Sequence, residues 1–536
     1  MTDFVSTGLR VGVAATGPGL LLVTGILLPT LFGSNGRRAS SFATLVGLVA
    51  LFAAGLSTTL LAFSERWQSS WTIWGPMELG LFLDPLSAVV LVLVSFLLVV
   101  VLQFSRRYMA GEARQTEFVR WLCLTGGSVL LIVISGNLLQ FALAWSSTSW
   151  CLHQLLVFYP DRPGAILAAR KKFIVSRLGD VCLLTVLILT LGDFHTWNFS
   201  EIFQQAERFH GPHASSVPVS ISLACFLLVT GAMLKSAQFP FHSWLPDTLE
   251  VPTPVSALMH AGIINAGGFL VLRLIPLISL SPLALSTLAI FGAFTALFAS
   301  MVMLTHASVK RALAFSTVAQ MGFMMLECGI GAYPLALLHL VAHSLYKAHA
   351  FLASGTAVRP VHADLPVANA PTSWSLRLGA MVLAFGLTWL GTNLFDVSLH
   401  TPGLALLGAI FAFSQTLWLW NVGTRKSDLR RFGLGLAVAC ATTTTYFALH
   451  ASATRILPAL NVDASSSVAR VEFGLVVLLL PLFLVVTLLQ PNLSEGMRLR
   501  LFQQLYVHAR NGFYFNTLAN RSVAAVWPLK GRRSKH

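Results

Sequence analysis

KSAQFPFHSWLPDTLEVPTPVSALMHAGIINAGGFLVLR, residues 235–273, begins at the end of one apolar run and finishes at the end of the next. Along it Pro240, Pro246, Pro252 and Pro254 each lack a backbone donor and interrupt helix. Lys235 and His260 lie in or beside segments otherwise apolar enough for lipid. The stretch predicts a broken membrane helix with a charged hinge, because irregular backbone at membrane depth must be enclosed by protein or line a water-filled path.

Outward from this hinge the composition agrees. The chain has 536 residues, of which 55% are hydrophobic and 10% charged. A soluble core could not absorb so many apolar runs, and bilayer thickness reads them as about 14–15 transmembrane helices. The expected fold class is an all-α polytopic membrane protein with inverted repeats and broken helices. The expected divisions are N-terminal transmembrane helices at 1–110, a first antiporter-like helix bundle at 120–276, a second at 282–421, C-terminal transmembrane helices at 430–490, and a basic amphipathic cytoplasmic tail at 491–536. The tail suits a helix on the anionic leaflet or against a partner, or serves simply as topogenic charge.

A net charge of +15 would suggest nucleic acid in a soluble protein. Here the basic residues crowd alternate short loops: Arg37 and Arg38; Arg106, Arg107 and Arg114; Arg170, Lys171 and Lys172; Lys310 and Arg311; Arg425, Lys426, Arg430 and Arg431. That alternation places these loops in the cytoplasm and the N-terminus outside, and no nucleic-acid site is expected. The opening MTDFVSTGLR lacks a strongly basic region and a clear cleavage site, so the first apolar run is expected to be a retained span. Cys123, Cys151, Cys182, Cys225, Cys328 and Cys440 are scattered through apolar runs without a CxxC, which argues against an iron–sulfur cluster or structural zinc held by this chain. The loop between the sixth and seventh spans is expected to hold a short amphipathic helix around Phe199 to Phe209.

Ionisable side chains within a span cost about 2.5–3.5 kcal/mol each, so they mark a bundle interior or a hydrated path. Lys235, in LLVTGAMLKSAQFPF, sits at the helix break, where freed carbonyls can solvate it; snorkelling to the surface is the alternative. His260 lies in an apolar helix beside Asn265, either relaying a proton between its ring nitrogens or simply packing. In LLHLVAHSLYKAHAFL, His339, His343 and Lys347 recur at i, i+4, i+8 and share one helical face, with His349 on a neighbouring one. Three titratable groups about 6 Å apart can pass protons along the axis, directly or through water. The HxxxH pair lacks the internal glutamate of a zincin, and no metal site is expected. Asp180 enters a span three residues after Arg177 and is either an ion-coupling carboxylate or half of a structural pair. Lys171 and Lys172 read as cytoplasmic topology charges. No P-loop, dinucleotide fingerprint or nucleophile triad occurs, so neither a catalytic residue nor a cofactor site is assigned, and the energy source is expected to be an ion gradient or a partner.

GAMLKSAQFPFHSWLPDTLEVPTPVSALMHAGIINAGGF (231–269), HASVKRALAFSTVAQMGFMM (306–325) and HLVAHSLYKAHAFLASG (339–355) resemble the large antiporter-like membrane subunits shared by respiratory complex I, its hydrogenase relatives and Mrp-type cation/proton antiporters. The resemblance spans roughly residues 80–420. It implies a central hydrated proton path through Lys235, His260, His339, His343 and Lys347, with Asp180 in the matching RxGD pattern. The respiratory subunits carry a glutamate in the fifth span, where this chain reads FALAWSSTSWCLHQLL with Ser146 at that position. Their twelfth-span lysine is also missing from AFGLTWLGTNLFDVS, leaving Asp396 as a substitute, and the chain after residue 490 is too short for their lateral helix.

HAGIINAGGFLVLR (260–273) and LYVHARNGFYFNTLANR (505–521) are similar to the membrane subunit of bacterial Dab-type inorganic carbon transporters. That similarity implies an ion-conducting (H+ or Na+) subunit, not itself an enzyme, in the bacterial inner membrane. It implies a large soluble zinc-dependent carbonic-anhydrase-like partner, with no cofactor in this chain and the zinc in the partner. The wider family leaves two alternatives: a proton-pumping subunit of a quinone-linked dehydrogenase or hydrogenase, and a cation/proton antiporter subunit.

Overall fold

The computed structural model describes residues 2–61, 66–74, 77–209, 216–355, 374–397, 402–423, 429–456, 466–489 and 500–527. The fold is an all-α polytopic membrane protein. Among the described residues nine helices are long and apolar enough to cross a membrane, and four shorter apolar helices accompany them.

Capping chemistry sets several of the helix starts. Asp84 caps α3 (Pro85–Tyr108) by accepting from the Ser87 amide at 2.8 Å, and Asn137 caps α5 (Leu138–Leu156) by accepting from Gln140 at 2.7 Å. Proline at the first turn starts α3, α6 (Pro163–Phe194), α13 (Pro282–Leu304) and α15 (Tyr333–Ala353), where no amide donor is needed. Before them come α1 (Thr2–Phe32) and α2 (Gly36–Leu61), and α4 (Gln115–Ile134) lies between α3 and α5. The amphipathic helix expected in the loop after the sixth span is α7, Phe199–Glu207.

The hinge is broken twice. Helix α8 (Val219–Lys235) stops at the lysine, and Ala237 takes a left-handed φ of 50° before the short α9 (Trp244–Asp247). The next span begins as α10 (Thr253–Ala261), tightens over Ile263–Asn265, resumes as α11 (Ala266–Arg273) and is followed by the single turn α12 (Ile275–Ile278). This second break lies inside a run expected to be one span. Every residue from Thr253 to Arg273 is buried, with α10 packed on α3 and α15 and α11 on α8 and on α14 (Val309–Gly329). Gly267 permits the closest of these approaches, because a Cβ there would collide with Ser236 Oγ and the Ala232 carbonyl of α8. The outer helices instead expose large apolar side chains such as Ile26, Phe52 and Ile188, as lipid contact requires.

Two features were not expected. Residues Trp67–Trp74 and Met77–Leu83 pair as an antiparallel hairpin, β1–β2. Its second strand runs on to Gly136, whose amide donates to the Gly80 carbonyl at 2.9 Å, and Asn137 Nδ2 donates to the Glu78 carbonyl at 2.8 Å. The hairpin thus ties the α4–α5 turn to the start of α3. In the tail, the helix Phe515–Val526 docks on α6 and the chain's own hinge, and the helix Arg500–Arg510 lies against α13. Phe515 packs edge-on against Phe239 at 4.7 Å, and Asn516 Nδ2 donates to Asp247 Oδ1 at 3.0 Å.

Beyond the hinge, α16 (Trp374–Leu394), α17 (Pro402–Gly423), α18 (Leu429–Ile456) and α19 (Ser466–Leu489) pack among themselves, with α18 against α15 and α19 against α13. Arg425 and Lys426 lie outside the described residues.

Candidate functional site

The first polar cluster forms where α5, α6 and α8 meet. Lys235, at the last turn of α8, donates from Nζ to Ser149 Oγ at 3.0 Å and lies 4.4 Å from the Trp145 ring centre. Lys172 approaches the same residue from α6 and donates to its carbonyl. Lys172 is buried, as is Lys171, which pairs with Asp247 and donates to Asn516 Oδ1 at 2.7 Å. Both lysines were expected to be topology charges in the cytoplasmic loop. Helix α6 starts early enough, at Pro163, to carry them into the bundle, where a carboxylate and carbonyls replace their lost hydration. Asp180 pairs with Arg177 at 2.7 Å and lies within electrostatic reach of Lys235 and Lys172.

Two hydrogen bonds lie between this cluster and the second. Ser236, next to Lys235, donates to the Ile264 carbonyl at 2.9 Å within the broken span. Asn265 follows and donates to Ser344 Oγ of α15 at 2.7 Å. The break that frees Ile264 and Asn265 from regular helix makes both bonds possible. A small cavity lies here, lined by Gly262, Asn265, Ser344 and apolar residues of α3 and α4.

The second cluster joins α10, α14 and α15. His260 is wholly buried, with Nδ1 3.2 Å from Thr317 Oγ1 and its ring stacked on Phe351 at 4.2 Å. Lys347, also wholly buried, donates to the Leu313 carbonyl at 3.3 Å and is within electrostatic reach of His260 and His343. The rings of His339 and His343 stand 6.2 Å apart, one turn along α15. Among the described residues His260 Nε2, His339 Nε2 and both nitrogens of His343 meet no partner, an arrangement suited to water-mediated contacts. His349 is exposed on the neighbouring face.

Three groups escaped the sequence, two of them at these clusters. Glu327 of α14 places Oε2 2.9 Å from His339 Nδ1 and is 5% exposed. Its signal was present, a lone acid in the apolar run FMMLECG, two residues from the helix end. Ser149 carried no signal at all. Arg273, buried at the end of α11, makes a double contact with Asp84 at 2.8 and 3.0 Å and also donates to Ser87 Oγ. Asp396, proposed as a substitute for the missing lysine, is exposed.

A lysine-terminated helix beside an enclosed, interrupted span, faced by a helix bearing His339, His343 and Lys347, defines an antiporter-like membrane subunit. Residues 135–426 match the family described as NADH:quinone oxidoreductase/Mrp antiporter, and residues 71–119 match the N-terminal part of complex I chain 5. The chain belongs to the NADH:quinone oxidoreductase/Mrp antiporter family. It is 38% identical over 468 residues to the probable inorganic carbon transporter subunit DabB2 of Halothiobacillus neapolitanus, covering 86% of this chain and 83% of that protein. It is also 38% identical over 434 residues to the probable inorganic carbon transporter subunit DabB of Hydrogenovibrio crunogenus, covering 77% and 79%. In fold it matches a chain of the Mrp complex from Dietzia sp. with a TM-score of 0.58 at 24% identity, over 97% of this chain and 56% of that one.

Proposed function

We propose that the chain is the ion-conducting subunit of an inorganic carbon uptake system in a bacterial inner membrane. It moves H+ inward, with Na+ as the other candidate ion, past Asp180, Lys235, His260, His339, His343 and Lys347. The observation that carries this reading is that two hydrogen bonds, Ser236 to the Ile264 carbonyl and Asn265 to Ser344, lie between Lys235 and the His343–Lys347 face, inside a span with no exposed residue. So many ionisable groups enclosed in apolar surroundings would be unfavourable in a scaffold. The names of the relatives support inorganic carbon as the cargo.

On this reading the chemistry of carbon dioxide hydration belongs to a large soluble zinc-dependent carbonic-anhydrase-like partner, and this chain contributes only the ion path. One charge falling through 100 mV releases about 2.3 kcal/mol. That biases a coupled hydration step by more than about tenfold. The test is bicarbonate accumulation in cells carrying both subunits. It should collapse with an uncoupler and with Lys235→Ala; accumulation that survives both overturns the proposal.

A further inference from the structure

We propose that Glu327 is the outer port of this path, the carboxylate that hands protons to His339; the assignment rests on the proton-conducting reading above. Helix α14 begins beside the basic pair Lys310 and Arg311 and ends at Gly329, and α15 starts at Tyr333. With the basic loop in the cytoplasm, Glu327 and His339 lie near the outer face, while Lys347 lies deeper along α15. The order Glu327, His339, His343, Lys347 therefore runs inward from an acid to a cation.

The geometry at the pair suits transfer rather than simple neutralisation. Oε2 and Nδ1 are 2.9 Å apart, a hydrogen-bond distance whichever atom holds the proton. Glu327 is 5% exposed and makes its bond to a group that can itself pass a proton on, and His339 Nε2 has no partner among the described residues. With Glu327 protonated, Oε2–H donates to Nδ1 and the ring carries its proton on Nε2. In one step the O–H bond breaks, an N–H bond forms at Nδ1, and the Nε2 proton leaves toward His343 through an intervening water. Glu327 is then an ionised acceptor for Nδ1–H, and the ring is neutral with its tautomer exchanged. Returning the ring to the starting tautomer and protonating Glu327 from outside completes the cycle. Tyr446 of α18 lies within electrostatic reach of Glu327, and Glu472 of α19 within reach of Tyr333, so further polar groups sit at the same end.

The experiment reconstitutes the full chain, with any co-purifying partner, into liposomes and follows potential-driven proton entry with an internal pH dye. Glu327→Gln should lower the flux at least about tenfold. His339→Gln should lower it equally, the double variant no further, and Glu327→Asp should retain a substantial part. Wild-type flux in Glu327→Gln overturns the proposal, and so does an additive double variant. Should Glu327→Gln fail to assemble, His339→Gln breaks the pair from the other side, and unchanged flux there is equally decisive. A wild type that conducts no protons overturns the parent reading along with this one.

Discussion

The Lys235 ammonium group rests on the Ser149 hydroxyl at 3.0 Å, and no carboxylate of α5 takes part. Where the respiratory subunits place a glutamate in the fifth span, this chain surrounds its lysine with a hydroxyl, the Trp145 ring and the more distant Asp180. Ser149→Ala should destabilise the protein by about 1–3 kcal/mol, because the buried ammonium loses its hydrogen-bond acceptor. Ser149→Thr keeps the hydroxyl and should behave nearly as wild type. Thermal unfolding in detergent distinguishes the two.

Arg273 and Asp84 fasten the far end of the broken span to the start of α3. Arg273→Met alone leaves Asp84 without its cation and should cost about 3–5 kcal/mol. Adding Asp84→Asn, which preserves a capping oxygen for α3, should recover most of that loss. A thermal-denaturation double-mutant cycle reads this as strong coupling; additive effects would mean the pair contributes nothing jointly.

Gly267 sets the distance between α8 and α11. Gly267→Ala should destabilise by about 1–3 kcal/mol, since the added methyl must displace Ser236 or the α8 backbone. Gly12→Ala, where the methyl would enter open space, is the matched control and should be neutral or slightly stabilising. Equal melting temperatures for the two variants would contradict the close packing inferred at the hinge.

The docked tail should respond to acid. His306, in the α13–α14 turn outside the spans, has its pKa held below 6.5 by partial burial, then by Arg311 and by Arg510 of the tail. A pKa depressed in the folded state gives stability that is present above 6.5 and lost as pH falls through the folded value. Protease cleavage near Arg510 should therefore accelerate as pH drops below about 6.5. His306→Gln should flatten that dependence.

The sequence carried the architecture because apolar run length and proline position are local properties: α8 does stop at Lys235, and α10 does begin at the proline pair. The i, i+4, i+8 spacing likewise placed His343 and Lys347 on a buried face of α15. What escaped depends on contacts between distant segments. Ser149 gains meaning only when α8 is laid across α5, and Glu327 only when α14 and α15 form a hairpin. Lys172 looked like a loop charge because the length of α6 cannot be read from its neighbours. The second break, at Gly262, has no proline to announce it. The β-hairpin was hidden because LGLFL merges with the apolar run of α3, and its strands hold through Asn137 and Asn198 from other segments, which bond to Glu78 and Gln68.

Potential-driven proton uptake into liposomes containing the purified chain and its co-purifying partner tests the central claim most directly. The path through Lys235 and Lys347 predicts uptake that grows with the imposed potential and falls at least about tenfold in Lys235→Ala and in Lys347→Met. Uptake equal to wild type in both variants would contradict it.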